Sequence, residues 1–335
     1  MSTDSTLGEA IDQQANRGFL AWLLSRQVFW IFLATVAAFI FMSVMRPDAF
    51  PTPQNIFNIT RNFAFVGIIA IGMTAVIITG GIDLSVGGTM LIGAMVTAVL
   101  MNSWMGVVPA FALSMGACIL VGLVNGLFVA VVGLQPFVVT LGMMSVARSM
   151  GLVISGNRLI FEFGPEQKYL TDIGAGALFG IPNEVYFLVI IALIVGFAFR
   201  WTRWGRHIYA IGGNEKAAIL TGVPVKTIKV SVYVLAAFLA GLAGWLQLGW
   251  LGSAATSMGV GMELLVIAAA VIGGANLMGG SGTVFGAVIG AALIELIRNS
   301  LILLGISTFW QGAFVGTFIV LAVAFDRLRN KDTSE

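Results

Sequence analysis

The chain has 335 residues, of which 59% are hydrophobic and only 10% are charged, and its formal net charge at pH 7 is +2. Its apolar residues come in runs of roughly 20, long enough to cross a bilayer as helices, which excludes a soluble domain and predicts an all-α, polytopic transmembrane helix bundle. The single Cys118 excludes an intramolecular disulfide, and with the single His207 it gives no basis for a metal site.

The apolar runs, read against Gly, Pro and charged interruptions, predict about ten spans between two polar tails. The N-terminal tail, residues 1–26, lacks the positive region and short apolar core of a removable signal peptide. A transmembrane domain, residues 27–325, follows, and residues 326–335 form the C-terminal tail. The predicted spans are 27–45, 62–79, 84–101, 106–131, 136–155, 184–199, 230–250, 262–278, 283–304 and 309–325.

The basic residues predict the orientation of these spans. An even number of spans places both termini on one side, and the positive-inside rule makes that side, with the 200–229 loop, cytoplasmic. Because the basic residues belong to loops between spans, the surrounding predicted for the chain is membrane lipid, and no nucleic-acid partner is indicated. The residues on the cytoplasmic side are Arg17, Arg26, Arg200, Arg203, Arg206, Lys216, Lys226, Lys229, Arg327, Arg329 and Lys331, and those opposite are Arg46, Arg61, Arg158, Lys168 and Arg298.

The first Gly-rich junction, residues 80–88, places one carboxylate, Asp83, in the stretch "GGIDLSVGG". Asp83 is typical of an N-cap of the third span, where backbone N–H groups and the helix dipole favour an acid. Gly80 and Gly81 permit positive φ and close backbone approach, so we predict a hinge or helix cap here. The alternative is a proton or sodium site, because an ionisable group at membrane depth is a functional hypothesis by default. That alternative would make the chain an ion-coupled secondary carrier.

The longest basic and polar segment is the 200–229 loop. Its centre, residues 214–220, is predicted to be a short helix, since Asn214 is a typical N-cap, Glu215 favours a helix start and Gly222 follows the end. Such a helix suits docking into a groove on another protein. The alternative is a solvated loop that only fixes the topology.

A second Gly-rich junction, residues 273–282, resembles the first. Placing "GGANLMGGSGTVFGA" beside "GGIDLSVGGTMLIGA" without a gap pairs Asn276 with Asp83. Both junctions join an inward-going span to an outward-going one, which predicts two similarly oriented internal repeats, unless Gly-rich membrane sequence matches by chance. The identical pairs are Gly80 with Gly273, Gly81 with Gly274, Leu84 with Leu277, Gly87 with Gly280, Gly93 with Gly286 and Ala94 with Ala287.

Four segments resemble the ribose-type permease subunits of bacterial ABC importers for monosaccharides, and they occur in the same order between about Phe50 and Arg327. They are "GGIDLSVG", "LQPFVVTLGMMSVAR", "GRHIYAIGGNEKAAILTGV" and "IAAAVIGGANLMGGSGTVFGAVIGA". The resemblance implies a translocation subunit in the bacterial inner membrane that works with a second permease chain, identical or different. It also implies cytoplasmic ATPase subunits that hold ATP and Mg, and a periplasmic sugar-binding protein.

The chain has no G-x-x-x-x-G-K-[ST] phosphate loop, so it is expected to be neither an ATPase nor a binder of a cofactor. The resemblance implies that the segment from Gly205 to Gly222 is the coupling element that engages the ATPase. The residues assigned to that element are Gly205, Gly212, Gly213, Asn214, Glu215, Ala217, Ala218 and Gly222, and those assigned to hinges or helix caps are Gly80, Gly81, Asp83, Gly273, Gly274 and Asn276.

A sugar crossing the bundle needs hydrogen-bond partners inside the spans. Pro136 lies near a predicted cytoplasmic end, where it frees backbone groups that a water-filled path would solvate. Helix-to-helix hydrogen bonding is the alternative role for each polar candidate. The candidates are Asn125, Gln135, Pro136, Phe137, Thr140 and Gln247. The outer loop, 156–184, is expected to meet the binding protein, to form a lid or to be an unstructured connector.

The sequence leaves the substrate open among pentoses, hexoses, polyols and furanosyl signalling molecules, because the choice of sugar is expected to lie in the binding protein. A membrane receptor or scaffold that binds without transport is a further alternative.

Overall fold

The computed structural model describes residues 27–307 together with residues 310, 312–313 and 316–317. This part of the chain is a helical bundle with one two-stranded hairpin, β1 (Ala177–Leu178) and β2 (Ile181–Pro182), paired antiparallel. The helices are α1 (Gln27–Met45), α2 (Pro53–Ile78), α3 (Val86–Asn102), α4 (Val107–Leu127), α5 (Pro136–Ser155), α6 (Gln167–Gly174), α7 (Asn183–Trp201), α8 (Arg203–Gly213), α9 (Glu215–Leu220), α10 (Val225–Leu251), α11 (Met262–Ile272) and α12 (Val284–Leu303).

The predicted spans from 27–45 to 283–304 each fall on one of these helices, which confirms the polytopic all-α fold. Seven described helices are long and apolar enough to cross a membrane, and α3 and α11 are shorter apolar helices. The span predicted at 262–278 is wrong in its second part, because α11 ends at Ile272 and Gly274 then takes a left-handed φ of 94°. The tails 1–26 and 326–335 and most of the span 309–325 lie outside the described residues.

α2 and α10 form the centre of the bundle, and most of their apolar residues are buried. They approach closely because Gly72 of α2 lies against the backbone of Ala236 in α10. Gly93 of α3 packs in the same way on the backbone of Gly241. Small residues at such crossings let helix backbones meet, which is how helices associate in lipid.

Two Gly-rich junctions and the segment 202–224 meet at one end of the bundle, called here the junction end. The amide N of Gly280 donates to the carbonyl O of Ile78 at 2.9 Å, so residues 273–283 lie directly beside residues 79–85. Tyr209 of α8 donates its hydroxyl to the carbonyl of Gly282 at 2.7 Å. The two junctions are therefore at the same end, as similarly oriented repeats require.

The opposite end carries α6, the hairpin and a buried ion pair. Nε of Arg61, in α2, lies 3.2 Å from Oε1 of Glu184, in α7, and the two side chains are 8% and 0% exposed. Arg61 also donates to the carbonyl of Ala175 at 3.2 Å and lies over the ring of Trp250. These contacts tie α2, α7, α10 and the 156–182 loop together.

Truncating Glu184 to alanine is expected to destabilise the protein by about 3–5 kcal/mol, because the charge of Arg61 would be buried without its partner. The double variant Arg61→Met with Glu184→Leu is expected to recover much of that loss, since it leaves no charge to bury. Thermal unfolding in detergent measures both effects.

An exposed ion pair at the same end supplies the control. Nζ of Lys168 lies 2.6 Å from Oδ2 of Asp172, with side chains 81% and 58% exposed. Substituting Lys168 is expected to change stability by less than about 1 kcal/mol, because water screens exposed pairs. Equal effects at Glu184 and Lys168 would show that the buried pair does not hold this end together.

Candidate functional site

The short helix α8 is attached to both Gly-rich junctions at the junction end. Thr202 caps it, with Oγ1 accepting from the amide N of Gly205 at 3.2 Å. Ile208 and Ile211 face inward and are buried, so one face of α8 packs on the bundle. α8 is therefore a fixed helix and not a free loop.

Gly212, near the end of α8, packs directly against backbone atoms of Ile78 and Gly280. A Cβ on this residue would overlap the carbonyl O of Ile78, at the end of α2 just before the first junction, and the amide N of Gly280, in the second junction. Its neighbour Gly213 faces open space, with no atom of the described residues within 4 Å of such a Cβ. Of these two glycines, only Gly212 is required for the close approach.

A hydroxyl group also fixes α8 to the second junction. Tyr209 donates to the carbonyl O of Gly282 at 2.7 Å. Burial raises the pKa of the Tyr209 hydroxyl, so it keeps its proton and remains a donor at neutral pH. Trp204 adds a bond from Nε1 to Oγ of Ser231, in α10, at 2.7 Å. A displacement of α8 must therefore move the junctions with it.

α9 coincides with the short helix predicted at residues 214–220. Asn214 is its N-cap, with Oδ1 accepting from the amide N of Ala217 at 3.0 Å. Glu215 pairs with Nζ of Lys229, in α10, at 2.6 Å, and Gly222 ends the segment with a φ of 81°.

The outer edge of α9 is apolar and faces away from the bundle. Leu220 is 88% exposed and Ile219 is also exposed, whereas Ala218 is buried and Ala217 is exposed. Large apolar side chains held outward on a capped, salt-bridged helix are typical of a docking surface for another protein.

The first junction places Asp83 differently from the prediction. Asp83 is not the N-cap of α3, because Ser85 occupies that position. Oδ1 of Asp83 instead accepts from the amide N of Ser85 at 2.8 Å and from Oγ of Ser85 at 2.6 Å. The bond from the amide N of Ser85 back to the side chain of Asp83 forms an Asx turn, so the chain bends just before the start of α3. The Asp83 side chain is fully buried.

The second junction repeats this local turn. Oδ1 of Asn276 accepts from the amide N of Met278 at 2.8 Å. On either side of this turn, the residues that the ungapped alignment pairs are not structurally equivalent. The left-handed glycine after the preceding helix is Gly80 in one copy and Gly274 in the other, and α12 begins only after Thr283. The two junctions therefore share a turn but differ in length.

The first junction re-enters the bundle and does not end at its surface. A Cβ on Gly88, in the first turn of α3, would lie 2.9 Å from the Cβ of Ala147. Ala147 lies eleven residues after Pro136, the first residue of α5, which is about 16 Å along that helix. α3 thus begins inside the bundle. The first junction is therefore a re-entrant segment and not a plain turn between two spans.

Two predicted path residues lie beside this re-entrant segment. Asn125, in α4, is fully buried and donates Nδ2 to Oγ of Ser85 at 2.9 Å. Thr140, in α5, is buried and donates to the carbonyls of Ile82, at 3.1 Å, and Pro136, at 2.9 Å. The bonds to Ser85 and Ile82 link a helix to the first junction, which fits the alternative role of helix-to-helix hydrogen bonding.

The remaining path candidates are more accessible. Gln135 and Phe137 are exposed at the start of α5, Pro136 is half-buried there, and Gln247 is half-buried in α10. The structure brings the first three together beside the junction end and leaves Gln247 apart from them.

Sequence analysis missed two tyrosines. Tyr209 joins α8 to the second junction. Tyr233, in α10, is buried with its hydroxyl close to Gly81 of the first junction. For Tyr233 the available signal was a tyrosine inside the apolar stretch of α10, whereas Tyr209 lies in the polar 200–229 segment and gave no such signal.

A protein-family model described as "Branched-chain amino acid transport system / permease component" matches residues 55–323. The ribose import permease protein RbsC of Escherichia coli K12 is 38% identical over 311 residues, which cover 91% of this chain and 94% of the relative. The D-allose transport system permease protein AlsC of the same strain is 37% identical over 312 residues, covering 91% and 94%. The L-arabinose ABC transporter permease protein AraH of Azospirillum brasilense is 33% identical over 321 residues, covering 96% and 93%. No solved structure matches the chain.

Proposed function

The chain belongs to the permease-component family whose model matches residues 55–323, and on that premise we propose that it passes a monosaccharide or related polyol across the bacterial inner membrane as the translocation subunit of an ATP-driven importer. The observation that carries the proposal is the nearly end-to-end similarity to import permeases for ribose, D-allose and L-arabinose. These relatives transport different sugars, which supports the assignment to the class of monosaccharides and polyols.

The energy for transport comes from partner ATPase subunits, which hold ATP and Mg. The chain lacks a phosphate loop of its own. The exposed edge of α9, with Ile219 and Leu220, is the surface that the ATPase covers. The contact of Gly212 with Ile78 and Gly280 then passes the motion of α8 and α9 to both junctions.

The junction end faces the cytoplasm in this proposal. Basic residues support this orientation, because Arg200, Arg203, Arg206, Lys216 and Lys226 all lie at or near that end. The opposite end, with α6 and the hairpin, then meets a periplasmic sugar-binding protein. A second permease chain, identical or different, completes the transmembrane pair.

Ion coupling through Asp83 is the rival mechanism, and the surroundings of this residue favour a structural role. One carboxylate oxygen of Asp83 accepts two bonds from Ser85, which fixes the turn. Asn276 makes the corresponding bond with a neutral amide. A turn that forms equally with an amide does not need a titrating group.

Uptake into vesicles tests the proposal. The vesicles contain this chain, its cognate ATPase and internal ATP, and they receive a sugar-loaded binding protein after protonophore and sodium ionophore have collapsed all ion gradients. We expect accumulation that continues without gradients and stops with a non-hydrolysable ATP analogue. Accumulation that requires a gradient and ignores ATP would refute the importer assignment, and binding without flux would indicate a receptor.

A further inference from the structure

An arginine lies halfway along α5 with its charge unpaired. Arg148 is the thirteenth of the 20 residues of this helix, about 18 Å from its first residue. The side chain is half-buried, and it makes no hydrogen bond or ion pair with any residue that the structure describes. Neither the proposed docking surface nor the junction contacts use it.

Arg148 belongs to a polar face of α5. At 100° per residue, Gly142, Ser145, Arg148 and Ser149 share an arc of about 120°. Gly142, Ser145 and Ser149 are exposed, and a Cβ on Gly142 would meet no atom within 4 Å. No described part of the chain therefore covers this face at Gly142, Ser145 and Ser149. Three apolar residues, Val138, Leu141 and Leu152, also lie within this arc.

A neighbouring face of α5 is exposed and apolar. It carries Val146, Met150 and Val153, all of which are exposed. The face that packs on α3 is different again, with Ala147 and Gly151 buried. The apolar face of α5 thus suits lipid, the face with Ala147 and Gly151 packs on the bundle, and the polar face fits neither surrounding.

The polar face cannot be the lipid-facing side. A charged side chain at the middle of a membrane helix is costly in hydrocarbon, and such residues face a bundle interior or a water-filled cavity. The serine hydroxyls on the same arc can donate and accept hydrogen bonds, so water can solvate them. The first turn of α3, which follows the re-entrant junction, packs on α5 at the same depth as Arg148. A Cβ on Gly88 would lie 3.3 Å from the amide N of Arg148.

We propose that the polar face of α5, formed by Gly142, Ser145, Arg148 and Ser149, lines a water-filled translocation path in which Arg148 donates hydrogen bonds to the hydroxyl oxygens of the passing sugar. This inference rests on the proposed function and names the part of the chain that meets the substrate. The second permease chain closes the path from the other side. The path begins next to the exposed Gln135 and Phe137 at the start of the same helix.

Arginine suits this role because it stays charged and offers five N–H donors. A sugar presents neutral hydroxyl oxygens, which accept these donors without forming an ion pair. Such hydrogen bonds orient a polyol but are weak enough for it to dissociate. Movement of α3 against α5, through Gly88, would open and close the path at this level.

Cysteine labelling in the assembled complex tests the inference. The only native cysteine, Cys118, is buried and is replaced first by serine, which keeps the bond to the carbonyl of Thr89. Ser145→Cys then places a thiol on the polar face, and Val146→Cys places one on the apolar face at nearly the same depth. A charged, membrane-impermeant methanethiosulfonate is expected to label Ser145→Cys about tenfold faster, because the reactive thiolate forms only where water solvates it.

Substrate protection and transport complete the test. We expect labelling of Ser145→Cys to slow during turnover with a sugar-loaded binding protein. Uptake by Arg148→Gln is expected to fall about tenfold, the effect of losing one charged hydrogen bond, while binding-protein-stimulated ATP hydrolysis continues. Arg148→Lys is expected to recover part of the uptake.

Equal labelling of the two cysteines, or no labelling of Ser145→Cys, would overturn the inference, and so would full uptake by Arg148→Gln. If these results occur while the parent complex still accumulates sugar with ATP, the path lies elsewhere and the proposed function stands. If the parent complex shows no ATP-dependent uptake, the proposed function itself fails.

Discussion

Replacing Gly212 with alanine is expected to reduce ATP-driven sugar uptake by about tenfold to a hundredfold, the effect of a packing clash worth 1–3 kcal/mol. A Cβ at this position would overlap backbone atoms of Ile78 and Gly280, which cannot rotate away as a side chain can. α8 must then move off the junctions. ATP hydrolysis by the partner subunits is expected to continue, since the exposed edge of α9 remains intact.

Gly213→Ala is the matched control, because the neighbouring glycine faces open space. Its uptake is expected to stay within about twofold of the parent, as surface substitutions change stability little. Initial uptake and ATP hydrolysis are measured in the same proteoliposomes for both variants. Unchanged uptake in Gly212→Ala would show that the contact between α8 and the junctions does not carry the coupling.

Asp83→Ala is expected to cost about 3 kcal/mol of stability and to abolish uptake, because it removes two hydrogen bonds and leaves the amide N–H and hydroxyl O–H of Ser85 buried without an acceptor. Asp83→Asn is expected to retain ATP-driven uptake. An amide oxygen can close the same turn, as Asn276 does with the amide N of Met278. Thermal unfolding and uptake together separate the two variants.

This pair of substitutions also decides between the two mechanisms. A secondary carrier that uses Asp83 as its ion site would lose all accumulation in Asp83→Asn, although the protein would remain folded. Thr97→Ala provides the control for the loss of a buried polar group, since among the described residues the Thr97 hydroxyl bonds only to Gly93 of its own helix. We expect that variant to assemble and to transport.

The long apolar helices could be predicted from the sequence because their signal is local, whereas α6 and α8 lie in segments that were expected to be loops. Runs of about 20 apolar residues mark the spans, whatever they pack against. The short helix α9 was predicted for the same reason, since Asn214, Glu215 and Gly222 are start and stop signals read within one segment.

The depth of the junctions could not be predicted from local signals. Asp83 looks like an N-cap in sequence, but bonding to Ser85 shifts the start of α3 to Val86. The re-entrant position follows from the packing of Gly88 on Ala147, a contact between distant parts of the chain. Likewise, nothing in the sequence distinguishes Gly212 from Gly213, because only the tertiary contact makes one of them indispensable.

The junction end connects these observations in one physical account. The apolar edge of α9 is exposed. α8 precedes α9 and contacts backbone atoms at the two junctions, which lead into α3 and α12. Since α3 starts inside the bundle, a small displacement of the junction is transmitted to the level of Arg148. Binding energy at the surface can therefore shift the balance between two arrangements of the path.

The contact between α9 and the ATPase tests this account most directly. A photo-crosslinking residue replaces Leu220 in one sample of the assembled complex and Phe179 in another, since both side chains are almost fully exposed, at 88% and 89% respectively, and lie at opposite ends. The account predicts that the residue at position 220 crosslinks to the ATPase subunit and that the one at position 179 does not. Crosslinking of the ATPase at position 179, or at neither position, would contradict it.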